Sequence, residues 1–169
     1  NIGLSEEFIE NTPTQCSILT EEKVAALMTP RNDFAHKGTM GHALLVAGSR
    51  GMAGAAVLAA KACLRSGAGK VTVHTPQCNN DIMQISIPEV IVQPDRGEDT
   101  FTQATDANQY SAMGIGPGLG VTENTAIALM TQIRSARVPV VVDADAINIL
   151  ASHRAWLQQL PDGMIFTPH

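Results

Sequence analysis

The sequence has little positive charge, few aromatic residues and no long apolar run. It carries 11 Lys and Arg residues against 16 Asp and Glu residues, which gives a net charge of −5. Surfaces that bind nucleic acid need clustered Lys and Arg, so this balance argues against a nucleic-acid partner. No apolar run reaches the roughly 18 residues of a membrane-spanning helix, so we expect no membrane partner either. The aromatic content of 4% does not favour a surface for stacking bases.

Cysteine is also scarce. Cys16, Cys63 and Cys78 are widely spaced and form no C-x-x-C pair. This pattern indicates reduced thiols in place of a disulfide framework or a zinc site, and it predicts no metal site in the chain. Because the sequence shows no positively charged, apolar leader at Asn1, we expect a cytoplasmic location.

What the sequence does have is an alternation of apolar strands and helices over a length of 169 residues, close to one average domain. Strands are predicted at 42–47, 70–75, 89–93, 111–115, 138–142 and 164–166. Helices are predicted at 53–66, 122–135 and 146–160 (the last broken near Ser152), with a short one at 77–85 and partial helix within 94–107. This order predicts an α/β fold, with a mainly parallel sheet covered by helices on both faces.

The first segments of the chain differ from the rest. Residues 1–17 resemble a tail or linker that is broken at Pro13. Thr20 followed by Glu21 and Glu22 predicts the capped start of a helix, which Pro30 would end.

Glycine-rich loops follow two of the predicted strands, where ligands of parallel sheets bind. The loop 48–56 has glycines at 48, 51 and 54, a spacing that matches neither common phosphate-binding fingerprint. It is either a plain turn into a packed helix or a place where a ligand approaches backbone amides. The loop 114–120 has four glycines and Pro117, which favours a stiff backbone-lined wall over a flexible connection.

Two carboxylates follow the strand 138–142. Asp143 and Asp145 stand two residues apart, a spacing that suits either ligand contact or helix capping. We predict ligand contact for Asp143, and we predict that Asp145 caps a helix that begins near Ala146.

Seven motifs in order carry a family resemblance. They are His36-Lys-Gly-x-x-Gly-His42, Gly51-Met-x-Gly-Ala-Ala56, Arg65-x-Gly-Ala-Gly69, Pro88-Glu-Val90, Gly114-x-Gly-Pro-Gly-Leu-Gly120, Asp143-Ala-Asp-Ala-x-Asn148 and Thr167-Pro-His169. Together they closely resemble the ADP/ATP-dependent NAD(P)H-hydrate dehydratases, repair enzymes with a ribokinase-like fold. The resemblance covers residues 19–169.

The resemblance implies a reaction and a set of contacts. Such enzymes remove water from the hydrated nicotinamide ring of NADH or NADPH and consume ADP or ATP, with Mg²⁺. The residues that it assigns to the hydrated dinucleotide are Ala55, Gly118 and His169, with Gly116, Asp143 and Asn148 supporting the same pocket. Lys37 is the residue that it suggests for the nucleotide co-substrate.

One departure from the family pattern limits this assignment. The family's catalytic Asp stands in a Gly-x-Gly-Asp loop, and these 169 residues contain no such sequence. We therefore assign no catalytic residue, and we expect the chain to hold the N-terminal portion of the dehydratase domain, over 18–169, without its C-terminal part. Alone, it is expected to be inactive. Ile2-Gly-Leu-x-x-x-Phe8 resembles the end of the epimerase domain that precedes the dehydratase in bifunctional members, so 1–17 are predicted to be its tail and the linker.

Two other functions stay open at this point. One is a ribokinase-like kinase of a small vitamin alcohol, and the other is a non-catalytic nucleotide-binding module. A partly built sheet would also expose a strand edge, so we expect a homo-oligomer, a tetramer or larger by the family resemblance.

Overall fold

The computed structural model describes residues 3–28 and 30–169. Its internal contacts divide the chain into two units, one that ends at Phe34 and one that runs from Ala35 to His169. The helices of the first unit are α1 (Glu6–Asn11) and α2 (Glu21–Leu27). In the part of the chain that is described, no helix is long and apolar enough to cross a membrane.

The capped start of α2 is as predicted. The Thr20 hydroxyl accepts a hydrogen bond from the Lys23 amide, which satisfies one of the free amides of the first turn. The prediction that residues 1–17 are the tail of another domain and a linker remains untested, and Ile2 of its motif lies outside the described residues.

The second unit is built on a six-stranded parallel sheet with the strand order β3-β2-β1-β4-β5-β6. The strands are β1 (His42–Val46), β2 (Lys70–Thr75), β3 (Ile91–Pro94), β4 (Ala112–Ile115), β5 (Val140–Val142) and β6 (Ile165–Phe166). The helices are α3 (Ala53–Arg65), α4 (Asn80–Ser86), α5 (Glu123–Ser135) and α6 (Ala144–Ser152), with 3₁₀ turns at Gln77–Asn79, Ala107–Gln109 and Arg154–Gln159. The predicted α/β fold with a parallel sheet is confirmed.

Two helix predictions are corrected. The segment 94–107 contains no helix before Ala107. The backbone amides in this segment that donate to the Asp95 carboxylate are not available for the amide-to-carbonyl bonds of a helix. The predicted helix 146–160 begins two residues earlier, at Ala144, and its predicted break at Ser152 is confirmed: a 3₁₀ segment follows.

Each face of the sheet has its own core. Leu44 and Val46 of β1 pack with β4, β5, α5 and α6, whereas Val71 and Val73 of β2 pack with α3 and α4. The first half of the chain adds β2 and β3 on one side of β1, and the second half adds β4, β5 and β6 on the other side. Since crossovers between parallel strands are right-handed, opposite directions of travel place the connecting helices on opposite faces. The helices of the two halves therefore cover opposite faces.

One consequence is an open apolar groove. On the face of β4 and β5 opposite α5, no helix of residues 35–169 covers the sheet, and a groove of about 460 Å³ lies there. Its floor includes Leu45, Gly114 and Val141, and its upper end reaches Asp143 and Thr167.

Candidate functional site

The carboxyl edge of the sheet is where the predicted loops meet. Since all the strand pairs described are parallel, the loops after β1, β4 and β5 emerge at this one edge. The Gly48 amide donates to the Pro117 carbonyl at 2.8 Å, and the Ser49 hydroxyl donates to the Gly118 carbonyl at 2.8 Å. The first two loops are therefore fastened to each other.

Gly118 brings the second loop against the start of α3. Its φ is +65°, and a Cβ atom there would lie 2.8 Å from Ala55 Cβ and 3.1 Å from the Met52 carbonyl oxygen. Only a glycine fits so close an approach in this left-handed conformation. The structure thus places Gly118 and Ala55, two predicted substrate contacts, side by side.

Gly116 allows a similarly close approach to the third loop, the one that follows β5. Its φ is +136°, and a side chain there would collide with the Asp143 carbonyl. The Asp143 amide in turn donates to the Ile115 carbonyl at 3.0 Å, which continues the pairing of β4 and β5 into the loops. Gly116 and Asp143 are therefore also brought together.

Asp143 joins the third loop to the end of the chain. Its carboxylate accepts a hydrogen bond from the Thr167 hydroxyl at 2.8 Å, and the Thr167 amide donates to the Val142 carbonyl. His169 stands two residues further on, with an exposed side chain. The residue after Asp143, Ala144, has a φ of +45°, a conformation that costs a non-glycine residue free energy and that marks a constrained turn.

The predicted capping role of Asp145 is wrong. The helix starts at Ala144, so Asp145 lies inside its first turn, and its carboxylate accepts instead from the Gly120 amide at 2.8 Å. Asn148 follows one turn later, with its amide nitrogen 3.3 Å from Asp145 Oδ1. Asp145 therefore connects the second loop to α6, and Asn148 supports it.

Three helix N-termini lie at this edge without a side-chain cap. Within the described residues, no side chain caps α3 at Met52, α4 at Asn79 or α6 at Asp143, whereas the Thr122 hydroxyl caps α5. Uncapped first-turn amides carry the positive end of the helix dipole and attract anions such as phosphate groups.

Lys37 does not belong to this cluster. A side chain at Gly69, just before β2, would collide with the Lys37 carbonyl, and the Gly69 amide donates to the Met40 carbonyl. Lys37 therefore lies beside the amino ends of β1 and β2, at the opposite edge of the sheet. Its predicted contact with the nucleotide remains untested.

A buried pair beside the site was missed. The Nε2 atom of His74 lies 3.1 Å from Asp95 Oδ2, and both side chains are buried. Burial raises the pKa of Asp95, but hydrogen bonds from the Thr102 hydroxyl and from backbone amides outweigh it, so the pKa lies below its usual value. The sequence signal was weak, because an Asp in a polar stretch is ordinarily solvated.

Arg50 was also missed. Its guanidinium forms an ion pair with Asp99, which raises the pKa of Arg50, and a longer one with Glu98 at 3.5 Å. All three side chains are more than half exposed, so the pairs themselves add little stability.

The described residues contain no group of three or more His, Cys, Asp or Glu side chains placed to hold a metal. They therefore offer no metal cage made of protein ligands alone, whereas Mg²⁺ at nucleotide sites is commonly held by one or two carboxylates together with phosphate oxygens.

Comparison with known proteins identifies the family. The sequence profile described as NAD(P)H-hydrate dehydratase matches residues 43–169. The chain belongs to the NAD(P)H-hydrate dehydratase family. It is 37% identical over 170 residues to the bifunctional NAD(P)H-hydrate repair enzyme Nnr of Vibrio cholerae, covering 99% of this chain and 33% of that protein. It is 38% identical over 153 residues to the ADP-dependent (S)-NAD(P)H-hydrate dehydratase of Bacillus subtilis, covering 89% of this chain and 52% of that protein.

Solved structures agree with this assignment. The chain matches the Bacillus subtilis ADP/ATP-dependent NAD(P)H-hydrate dehydratase, co-crystallised with ATP and Mg²⁺, with a TM-score of 0.65 and 36% identity. That match covers 75% of this chain and 45% of the other. A ribokinase-like superfamily protein of Enterococcus faecalis matches with a TM-score of 0.72 and 28% identity, over 83% of this chain and 49% of the other. The expected ribokinase-like fold is confirmed, and the chain spans about a third to a half of these relatives.

Proposed function

We propose that this protein takes part in the repair of hydrated NADH and NADPH by nucleotide-dependent dehydration, and that the described loops form the surface for the hydrated dinucleotide. The observation that carries the proposal is the contact of Gly118 with Ala55 beside the uncapped start of α3. This contact makes a wall without bulky side chains next to amides that attract phosphate, which suits a dinucleotide. The names of the relatives support the same substrate class.

The chemistry requires a better leaving group than hydroxide. Transfer of the terminal phosphoryl group of ADP or ATP to the ring hydroxyl would break the terminal P–O bond, release AMP or ADP and the hydroxyl proton, and create a phosphate ester. Breaking its C–O bond, with loss of a proton from the neighbouring ring carbon, restores the double bond and releases inorganic phosphate. Phosphoryl transfer of this kind depends on positioning and on neutralised charge.

The residues of this chain act in that scheme by binding and orienting. The wall of Ala55 and Gly118 confines the ring end of the dinucleotide, and first-turn amides of α3 and α6 donate hydrogen bonds to its phosphate oxygens. Asp143, held by Thr167, stands where a carboxylate can accept a hydrogen bond from a substrate hydroxyl. No described residue is assigned the proton transfer, so we expect the 169-residue chain alone to bind hydrated dinucleotide without dehydrating it.

A substitution in the wall tests the proposal. In Gly118→Ala the new methyl group would push Ala55 and Met52 aside, so the affinity for hydrated NADH, measured by isothermal titration calorimetry, should fall at least about tenfold. Gly163→Ala is the matched control, since Gly163 has a similar φ of +77° with no described atom within 4 Å of a new Cβ. Equal affinities for the two variants would contradict the proposed wall.

Thermal denaturation distinguishes the proposed dehydratase function from the alternative of a vitamin-alcohol kinase. Hydrated NADH should raise the melting temperature of the chain, and pyridoxine, a vitamin alcohol, should not. Stabilisation by pyridoxine alone would favour the kinase instead. Recovery of NADH absorbance in the presence of ADP or ATP and this chain would contradict its expected inactivity, with the same mixture without protein as the control.

The partners proposed from the family are an epimerase domain in the same polypeptide and further copies of the chain. Bifunctional relatives support the first of these. The second is supported by the open groove and by the exposed apolar side chains of Ile165 and Phe166 on the edge strand β6. A monodisperse monomer in light scattering would count against self-association. The tetrameric state and the cytoplasmic location remain predictions.

A further inference from the structure

The most heavily hydrogen-bonded side chain of the described residues outside the predicted site is Asp95, which follows β3. It is 2% exposed, and its two oxygens accept five hydrogen bonds. The donors are His74 Nε2, the amides of Gly97, Thr102 and Gln103, and the Thr102 hydroxyl. So many bonds to one buried charge fix both the carboxylate and the backbone that supplies the donors.

These bonds shape the acidic loop, which we define as residues 96–103. Asp95 binds the loop near both of its ends, through Gly97 and Gln103. Phe101, fully buried, anchors its middle and packs edge-on against the His74 ring. The loop is therefore held from inside the protein and cannot shift without breaking bonds to Asp95.

The outer side of the acidic loop holds Arg50. The Asp99 carbonyl accepts a hydrogen bond from the Arg50 amide at 2.8 Å, and the Asp99 carboxylate pairs with the Arg50 guanidinium. The acidic loop thus binds both the backbone and the side chain of Arg50, in the turn after β1.

That turn, residues 49–52, carries the wall of the proposed site. Ser49, directly before Arg50, donates its hydroxyl to the Gly118 carbonyl, and the Ser49 carbonyl accepts from the Met52 amide. Met52 then lies against Gly118. A displacement of Arg50 would therefore move the atoms that confine Gly118.

We propose that Asp95 is a positioning residue for the dinucleotide site, which acts through the acidic loop and Arg50 on the turn 49–52. Asp95 does not touch the wall itself, since the contacts run from Asp95 to the loop, from the loop to Arg50, and from the turn to Gly118. The consequence for binding rests on the proposed function, whereas the consequence for the turn does not.

Hydrogen exchange of the folded chain tests the link without a ligand. Asp95→Asn keeps the size of the side chain but replaces one carboxylate oxygen, an acceptor, by an NH₂ group. That group would face the N–H and O–H donors that now bind Asp95. Exchange in peptides covering 96–103 and 48–54 should accelerate at least about tenfold. Peptides from β5 and α5 serve as the internal reference, because a merely global loss of stability would accelerate them as well.

Three further variants complete the experiment. Asp106→Asn is the matched control, since Asp106 is an exposed carboxylate on the same connection that accepts only a local bond from the Asn108 amide, and it should change neither peptide. Asp99→Asn removes the exposed ion pair but keeps the hydrogen bond from the Arg50 amide to the Asp99 carbonyl, so it should accelerate 48–54 less than Asp95→Asn does. Thr102→Val removes one donor to Asp95 and should accelerate 96–103 and 48–54 together, even if Asp95→Asn fails to fold. Acceleration confined to 96–103 in Asp95→Asn or in Thr102→Val would overturn the proposal.

Calorimetry with hydrated NADH gives the second measurement. Asp95→Asn should weaken binding about tenfold and Asp106→Asn should not. If the unsubstituted chain binds no hydrated NADH, the proposed function fails, while the exchange result still decides the role of Asp95.

Discussion

Two glycines at the carboxyl edge of the sheet differ in purpose from two at its amino edge. At the carboxyl edge, Gly116 and Gly118 have positive φ values and are so closely enclosed that a Cβ would strike Asp143 or Ala55. At the amino edge, Gly67 and Gly163 also have positive φ values, yet no described atom lies within 4 Å of a Cβ there. A positive φ by itself marks a turn, and a positive φ with a crowded Cβ position marks contact between loops. This difference separates the glycines of the site from those of ordinary turns.

The strongest test of this comparison is Gly116→Ala. The substitution adds backbone strain and a collision with the Asp143 carbonyl, so we expect a loss of about 3–5 kcal/mol of unfolding free energy in urea denaturation. Gly163→Ala, which adds strain only, should cost about 1–2 kcal/mol. Similar losses for both variants would show that crowding at the carboxyl edge does not matter.

A second test uses acid, because the carboxyl edge also holds the buried carboxylate. The pKa of Asp95 is lowered in the folded protein, so its contribution is complete above the ordinary aspartate pKa of about 3.9 and is lost as the pH falls through the lower folded value. At neutral pH, Asp95→Asn should cost about 2 kcal/mol. Urea denaturation at decreasing pH should show this difference shrinking below about pH 4. A difference that stays constant in acid would argue against an ionised Asp95.

The smallest expected effect concerns the bond between the second loop and α6. Asp145→Ala removes the acceptor of the Gly120 amide and should cost about 1–2 kcal/mol in urea denaturation. Asp162→Ala, an exposed carboxylate of the amino edge, should change stability by no more than about 0.5 kcal/mol. If Asp162→Ala were as costly, the carboxyl edge would not be the more tightly bonded of the two.

Much of the fold was predictable because its signals are local. The continuous apolar run at 42–47 and the Ala-rich segment that follows it predicted β1 and α3 almost to the residue. The segment 94–107 was predicted wrongly, since the residue that decides it, Asp95, acts through bonds to amides up to eight positions away. Propensity does not report such bonds.

The site was predictable in part for the same reason. The glycine loops and Asp143 were found from their position after strands, and the structure brings Ala55, Gly116, Gly118 and Asp143 to one edge. The capping role predicted for Asp145 was wrong because it assumed that the helix begins near Ala146, whereas the helix begins two residues earlier, at Ala144. Lys37, which the resemblance suggests for the nucleotide, precedes β1 and so lies at the other edge, and its contact with the nucleotide stays a prediction.

The order of apolar and glycine-rich segments, read alone, determined the parallel α/β class and the family, because each strand, helix and motif is specified by neighbouring residues. Only the tertiary structure decided which loops touch, that Asp95 supports Arg50 across the loop between them, and that one face of β4 and β5 stays open. Those outcomes depend on strand order and on the hand of each crossover, which bring together residues far apart in the chain.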